Sequence, residues 1–514
     1  MRIRDPRRLP VAQVSAQLAG RAGQTDISAQ QSDGGALNEG GRDVGASDDS
    51  ASDDGKPDDG APDDSASVDS ASDDGKPDEL VLDIGPVAHG GHCVARISSG
   101  PDAGRVVFVR HALPGERVRA LITSRGKVWR ADAVAVLANP SEYRVPSPWP
   151  AAGPGGVGGG ELAHVSIAGQ RRWKAAVIAE QLQRLAGIAT KEISPELDVN
   201  PRTLQPTSGQ LASGDIVETL GHENGYRTRV ELVTDANGNV GMSKPRSNDI
   251  MPIKEMPLAT PALQEFLTKQ NVWQTTWPAN ARITAIVPAN ATADDGILLV
   301  NQEPWLNGAK LAATAKTEVI EQLNYGTKNY QYQVNANGFW QVHEKAPQWL
   351  VETVLAAANL QQGQRVFDLY SGAGLFTLPI ADAVGSEGKV IAIEGDKTAA
   401  HYAKLNAKKY PQITVKPGDV LKTLCQIQSG ASGNAITNAD VVVLDPPRVG
   451  AGKQIVTQIA ALAPNRVVYV ACDPAALARD IGYFQDLGYK LTALKAADLF
   501  PMTHHVECVA TLER

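Results

Sequence analysis

From residue 345 to its end the chain alternates short apolar runs of strand length with stretches of helix length, and this limits the fold more than any other feature. After a helix near 345–360, the runs are Arg365-Val366-Phe367-Asp368-Leu369-Tyr370, Val390-Ile391-Ala392-Ile393, Ile413-Thr414-Val415, Val441-Val442-Val443-Leu444 and Val467-Val468-Tyr469-Val470. A last one falls around 506–511. Strands separated by helices pair in parallel through crossovers, because a tight hairpin has no room for the helix. The pattern predicts an α/β, doubly wound, mostly parallel C-terminal sheet, with its site beyond the carboxyl ends of the strands.

Chemically able residues stand at those ends. Asp368-Leu369-Tyr370-Ser371-Gly372-Ala373-Gly374 closes the first run, and its two glycines, Gly372 and Gly374, allow a sharp turn and close approach to a ligand. Glu394 ends the next run, where a carboxylate can hold a ribose diol, and Asp419 follows the third, where an adenine can be contacted. NAD and S-adenosylmethionine both fit such a frame. Asp368 within the turn would repel a pyrophosphate but suits a sulfonium or amino group, and Thr377 replaces the third glycine of the dinucleotide pattern. These features favour S-adenosylmethionine over NAD, and the family resemblance given below makes it the expected cofactor, with Asp368, Tyr370, Gly372, Gly374, Glu394 and Asp419 as its contacts.

Cys472 follows the fifth run and opens Cys472-Asp473-Pro474, just where a helix begins; Asp445-Pro446-Pro447-Arg448 follows the fourth. The chain finishes with Thr503-His504-His505-Val506-Glu507-Cys508. A lone cysteine at a strand end is more often a small buried hydrophobe than a nucleophile. A thiol, a carboxylate and a nucleotide-type fold in one domain nevertheless point to a covalent catalyst acting on a nucleobase. His504-His505 looks like half a metal site, but no second cluster accompanies it, and no metal is assigned.

The N-terminal half is organised differently. Residues 26–79 hold seventeen acids against three bases, and Ala51–Asp58 returns word for word at 71–78. Residues 1–78 are expected to be a disordered acidic tail, since Asp, Ser, Gly and Pro bury too little apolar surface to offset ordering. The net charge of −8 is misleading: outside residues 1–79 the chain carries +2, which does not exclude a nucleic-acid partner. Short β-rich runs over 79–140 predict a small barrel of the oligonucleotide-binding kind. Arg96, Arg110, Arg125, Lys127 and Arg130 would give it charge, and Trp129 a stacking face. A Pro/Gly linker is expected over 141–167, a mixed β-rich central domain over 168–330, and the catalytic domain over 331–514. Four scattered cysteines make no disulfide framework, and no apolar stretch has membrane-spanning length. No apolar core follows the basic Met1–Arg4, so no secretory signal is expected. The expected location is cytoplasmic.

The motifs at 367–376, 444–450, 469–474 and 504–508 resemble, in order and separation, those of the RNA uracil-C5 methyltransferases. Residues 80–140, with Val109-Arg110-His111-Ala112-Leu113-Pro114-Gly115-Glu116-Arg117-Val118, resemble the TRAM RNA-binding barrel. The resemblance implies S-adenosylmethionine-dependent methylation of uridine C5 in RNA, with Cys472 adding to C6 of the ring and Glu507 removing the C5 proton. It places Asp445 against donor or flipped uracil, and Gln341 near both. The barrel points to 23S rRNA rather than tRNA, and no protein or membrane partner is implied. A cytosine-C5 RNA methyltransferase shares the thiol addition but uses a different motif beside the nucleophile. A non-catalytic RNA-binding assembly factor is the remaining alternative, against which intact Cys472 and Glu507 argue.

The chain departs from the family in two places. Many relatives hold an iron–sulfur cluster on four cysteines; here Trp149, the stretch Val157-Gly158-Gly159-Gly160, and Met256 stand at the matching positions. No cluster is expected on such side chains. Ala471 and Asp473 replace the usual Ser and Asn around the nucleophile.

Overall fold

The computed structural model describes residues 78–193, 197, 199–205, 218–219, 225–312, 314–315, 317–431 and 433–514. The repeats within residues 1–77, and with them the expected disordered tail, lie outside the described residues.

Five strands, Glu79–Ala88, His92–Arg96, Val106–Arg110, Arg117–Arg125 and Trp129–Ala138, close into a barrel. Strict alternation decides its interior: Leu82, Ile84, Val118 and Ala120 are buried, while Val81, Asp83, Arg117 and Arg119 between them face out. Closure leaves no open edge. The expectation that Trp129 offers a stacking face needs correction. Its ring is covered by the guanidinium groups of Arg105 and Arg125, 4.7 and 5.1 Å from the ring centroid, and the residue is only 8% exposed. Arg110 is likewise engaged, with Nε and Nη2 each donating to Asp132 at 2.9 Å.

A seven-stranded antiparallel sheet built from residues 229–310 forms the centre. The Pro/Gly segment expected to be a mere linker belongs to its core, where Trp149, Ala152, Val157 and Ala163 pack with Met256 and Leu258. Glycine makes that packing possible. A Cβ on Gly160 would lie 2.5 Å from the Ala152 methyl and 3.3 Å from the Trp149 ring. Trp149, Val157 and Met256 thus belong to an apolar cluster, and these side chains do not fit an iron–sulfur centre.

The helix Ile167–Gln181, expected to open the central domain, serves the catalytic one instead. Its Lys174 is wholly buried, and Nζ donates to Asp498 Oδ1 at 2.5 Å and to the Phe500 carbonyl at 3.1 Å. One turn earlier, Gln170 Oε1 accepts from the Met502 amide at 2.7 Å. A buried lysine needs such partners, and here they fix the loop that leads to Glu507.

The catalytic sheet has the strand order Ile413–Pro417, Lys389–Glu394, Arg365–Leu369, Val441–Leu444, Arg466–Ala471, Glu507–Glu513, Lys490–Asp498, with Glu218–Thr219 at the far edge. The first five are mutually parallel, and Val441–Leu444 is buried throughout, as a sheet covered on both faces requires. Glu507–Glu513 runs antiparallel to both of its neighbours. Lys490–Asp498 was not expected from sequence, because exposed residues and a bulge between Leu491 and Ala493 break its apolar pattern. The hairpin Glu318–Tyr325/Lys328–Asn335 packs on the sheet's helices, with Tyr332 Oη donating to the Leu375 carbonyl at 3.0 Å.

Candidate active site

A cleft of about 1230 Å³ opens at the carboxyl ends of the parallel strands, where the order reverses between Arg365–Leu369 and Val441–Leu444. One end is made of backbone turns. Tyr370, Gly372 and Gly374 have φ values of 62°, 55° and 98°, a left-handed sequence that throws the chain from strand into helix. At Tyr370 this costs roughly 1–2 kcal/mol, since its Cβ crowds the next carbonyl. Glu394 braces the turn: Oε2 accepts from the Gly372 amide at 2.8 Å and Oε1 from the Asp396 amide at 2.6 Å. Asp419 caps the helix Val420–Ser429 through the Lys422 amide at 2.9 Å.

Behind this wall, Asp368 is buried and Oδ2 accepts from Thr377 Oγ1 at 2.5 Å. Its Oδ1 and the nearby Ser371 Oγ are buried without a hydrogen-bond partner. Buried polar atoms left so need a ligand or water to complete them. This donor set fits a polar, positively charged ligand such as S-adenosylmethionine.

The other end gathers ionisable side chains. The antiparallel pairing of Arg466–Ala471 with Glu507–Glu513 sets Ala471 opposite Cys508, so the residues one step outward, Cys472 and Glu507, emerge at the same edge. Asp445 emerges beside them from the neighbouring strand, and all three line the cleft. The helix Pro474–Asp486 ties the two loops together: Asp480 Oδ2 accepts from the Ala451 and Gly452 amides at 2.7 and 3.1 Å. Gly450, at φ 78°, is required there, since a Cβ would lie 2.6 Å from both Asp480 Oδ2 and Arg479 Nη2.

Burial, with neighbouring charges adding to it, raises Asp368, Asp445, Cys472 and Glu507. Burial, then the charge of Asp368, pushes Asp445 up to about 7. Burial, then Glu394, pushes Asp368 up to about 7 as well, against the Thr377 bond. Burial and Asp445 hold Glu507 well above the ordinary carboxylate range. Burial, Glu507 and Asp445 push the Cys472 thiol up to about 12, only partly opposed by Arg448. Asp368, Asp445 and Glu507 thus keep their protons to higher pH than ordinary carboxyls do, and burial beside them favours the Cys472 thiol over its thiolate.

Of the expected residues, Gln341, Tyr370, Gly372, Glu394, Asp419, Asp445, Cys472 and Glu507 all line this one cleft. Asp368 and Gly374 stand behind its wall and shape it. Sequence reasoning missed Arg448, whose Nη2 lies 3.2 Å from His505 Nε2, as well as Thr503 and Phe339. Phe339, 71% exposed at the mouth, offered one signal: a large aromatic two residues before Gln341. Among the described residues no group of three or more His, Cys, Asp or Glu could hold a metal, and no helix is long and apolar enough to cross a membrane.

Comparison with known proteins identifies the family. Residues 306–416 and 434–514 match the family tRNA (Uracil-5-)-methyltransferase, and residues 79–132 match the TRAM domain. A Streptomyces avermitilis protein named as an uncharacterized RNA methyltransferase is 40% identical over 458 residues, covering 85% of this chain and 98% of the relative. The 23S rRNA (uracil(1939)-C(5))-methyltransferase RlmD of Acinetobacter baumannii is 28% identical over 474 residues, covering 85% of this chain and 96% of its own. The fold is shared with the Pyrococcus abyssi tRNA (uracil-54, C5)-methyltransferase bound to S-adenosyl-L-homocysteine, at TM-score 0.55 and 19% identity, over 84% of this chain and all of that one.

Proposed function

The chain belongs to the TRAM-domain RNA uracil-C5 methyltransferases, and from that premise we propose that it methylates uridine C5 in 23S rRNA through a covalent adduct on Cys472. The observation that carries this reading is the register that brings Cys472 and Glu507 to one edge, beside Asp445, in the cleft that holds the glycine turn.

C5 of uracil is a weak nucleophile. A carboxylate of the cleft takes the Cys472 thiol proton as the sulfur adds to C6, and the ring becomes an enolate with its electron density at C5. When bound, S-adenosylmethionine supplies an electrophilic methyl group on a sulfonium. C5 takes that methyl as the donor's sulfur–methyl bond breaks and a neutral thioether leaves. Glu507 then removes the C5 proton, the C5–C6 double bond re-forms and the C6–S bond breaks, releasing the Cys472 thiolate. Asp368, Ser371, Glu394 and Asp419 hold the donor, with Tyr370, Gly372 and Gly374 setting the turn, and Gln341 and Asp445 orient the base. A positively charged donor held at Asp368 would lower the pKa values of the neighbouring carboxyls and of Cys472, favouring the thiolate. The helix starting at Pro474 adds its positive end to the same effect.

The target base must leave its stack to reach Cys472, and Arg227 and Arg448 along the cleft suit a phosphate-bearing strand. Residues 79–140 act as the RNA-binding unit and residues 331–514 as the catalytic one. The place of action is the cytoplasm, where rRNA is available. The 23S assignment over tRNA rests on the RlmD relative, which matches nearly end to end.

The test uses 5-fluorouridine-substituted 23S fragments and tRNA, incubated with protein and S-adenosylmethionine. Fluorine cannot leave as a proton, so the adduct persists through denaturation. A stable adduct on the 23S fragment that vanishes in Cys472→Ala is the expected result. An adduct only on tRNA moves the substrate, and one that survives Cys472→Ala removes the nucleophile.

A further inference from the structure

The barrel reaches the catalytic centre at one point. Its first hairpin turns through His89, Gly90 and Gly91, the glycines at φ 86° and 77°. The tip is seated closely: a Cβ on Gly91 would lie 3.2 Å from His504 Cβ and 3.4 Å from Glu161 Cβ. At this tip, His89 Nε2 stands 3.0 Å from Asp473 Oδ2, across 384 residues of chain. Asp473 follows Cys472 directly and caps the helix Pro474–Asp486, Oδ1 accepting from the Ala475 and Ala476 amides at 3.0 and 2.8 Å. Both carboxylate oxygens are thus committed, one to the helix and one to the barrel. Since an ionised carboxylate only accepts, the imidazole proton must sit on Nε2.

A carboxylate next to the nucleophile is a cost to the reaction, because its charge opposes a thiolate; Asp473 is among the groups that raise Cys472. A proton donor on its outer oxygen draws that charge away from the sulfur and fixes the side chain in its capping rotamer. We propose that His89 is a positioning residue for Cys472, acting through Asp473, so that thiol addition depends on the seating of the RNA-binding barrel. The inference rests on Cys472 being the nucleophile. It makes the barrel more than an affinity module: the hairpin that docks beside Asp473 also sets the charge beside the attacking sulfur.

The experiment is a double-mutant cycle on the full chain, reading adduct formation with 5-fluorouridine RNA at saturating RNA and donor, together with RNA affinity. His89→Ala should slow adduct formation about tenfold with RNA affinity unchanged, the size of one charge-assisted hydrogen bond. His89→Gln, which keeps an N–H donor, should recover most of the rate. In Asp473→Asn, where the charge is gone, adding His89→Ala should cost less than about twofold. An equal loss in both backgrounds, or a loss confined to RNA affinity, overturns the proposal. Wild-type protein that forms no adduct at all would instead refute the covalent reading, a distinct failure.

Discussion

The two ends of the cleft are built by opposite means. The end with Tyr370, Gly372, Glu394 and Asp419 comes from three consecutive strand–turn units, and two of its acids are spent on backbone amides: Glu394 on Gly372 and Asp396, Asp419 on Lys422. The buried Asp368 behind them keeps one oxygen without a partner. The end with Asp445, Cys472 and Glu507 comes from three strands brought together by register, and its acids face one another. A site that must bind a donor many times over benefits from rigid, satisfied groups. One that must move protons benefits from groups whose pKa values are raised and mutually dependent.

Substitutions should therefore separate the two ends. Glu507→Gln should lower turnover most, by about 10²–10⁴-fold, while leaving addition to C6 intact. Ordinary uridine RNA would then accumulate as a denaturation-stable, methylated adduct, seen as a shifted band on a denaturing gel. No accumulation would mean that another base removes the C5 proton. Glu394→Gln should instead weaken donor binding about tenfold by calorimetry, with kcat changed less than about twofold at saturating donor. A fall in kcat with unchanged donor affinity would erase the distinction between the ends.

The smallest effect is on stability. Asp445 in the folded protein holds its proton up to about 7, whereas in the unfolded chain it releases it near pH 4. The folded state binds the extra proton in that window, so stability falls as pH rises from about 4 to about 7 and then levels. Asp445→Asn should flatten the decline of Tm over this range, measured without donor by calorimetry. A slope unchanged in Asp445→Asn would show that this carboxyl is not proton-loaded.

The donor end was the more legible for a physical reason. Its signals are local: an apolar run, a Gly-X-Gly turn, an acid at the next strand end. The central half was less so. Trp149 and Met256 are ordinary loop residues in sequence, yet they meet in one core with Ala152, across a hundred positions. Trp129 read as a stacking face because aromatics among arginines often are; whether a guanidinium covers the ring depends on the strand pairing that brings Arg105 and Arg125 to it. Lys174 gave no signal at all, since a lysine on a helix is normally solvated and only Asp498 and the Phe500 carbonyl, more than 300 residues on, make its burial tolerable.

By itself the sequence determined the strand–helix rhythm, the glycine turn, the thiol at a strand end and the carboxylate near the C-terminus, because each is set by contacts within a few residues. Only the tertiary structure decided that Glu507 faces Cys472 and that His89 touches Asp473. The first follows from inserting an antiparallel strand in one register out of many, the second from docking a barrel tip nearly 400 residues away. Short-range chemistry fixes which groups a chain can offer, and long-range packing fixes which of them meet.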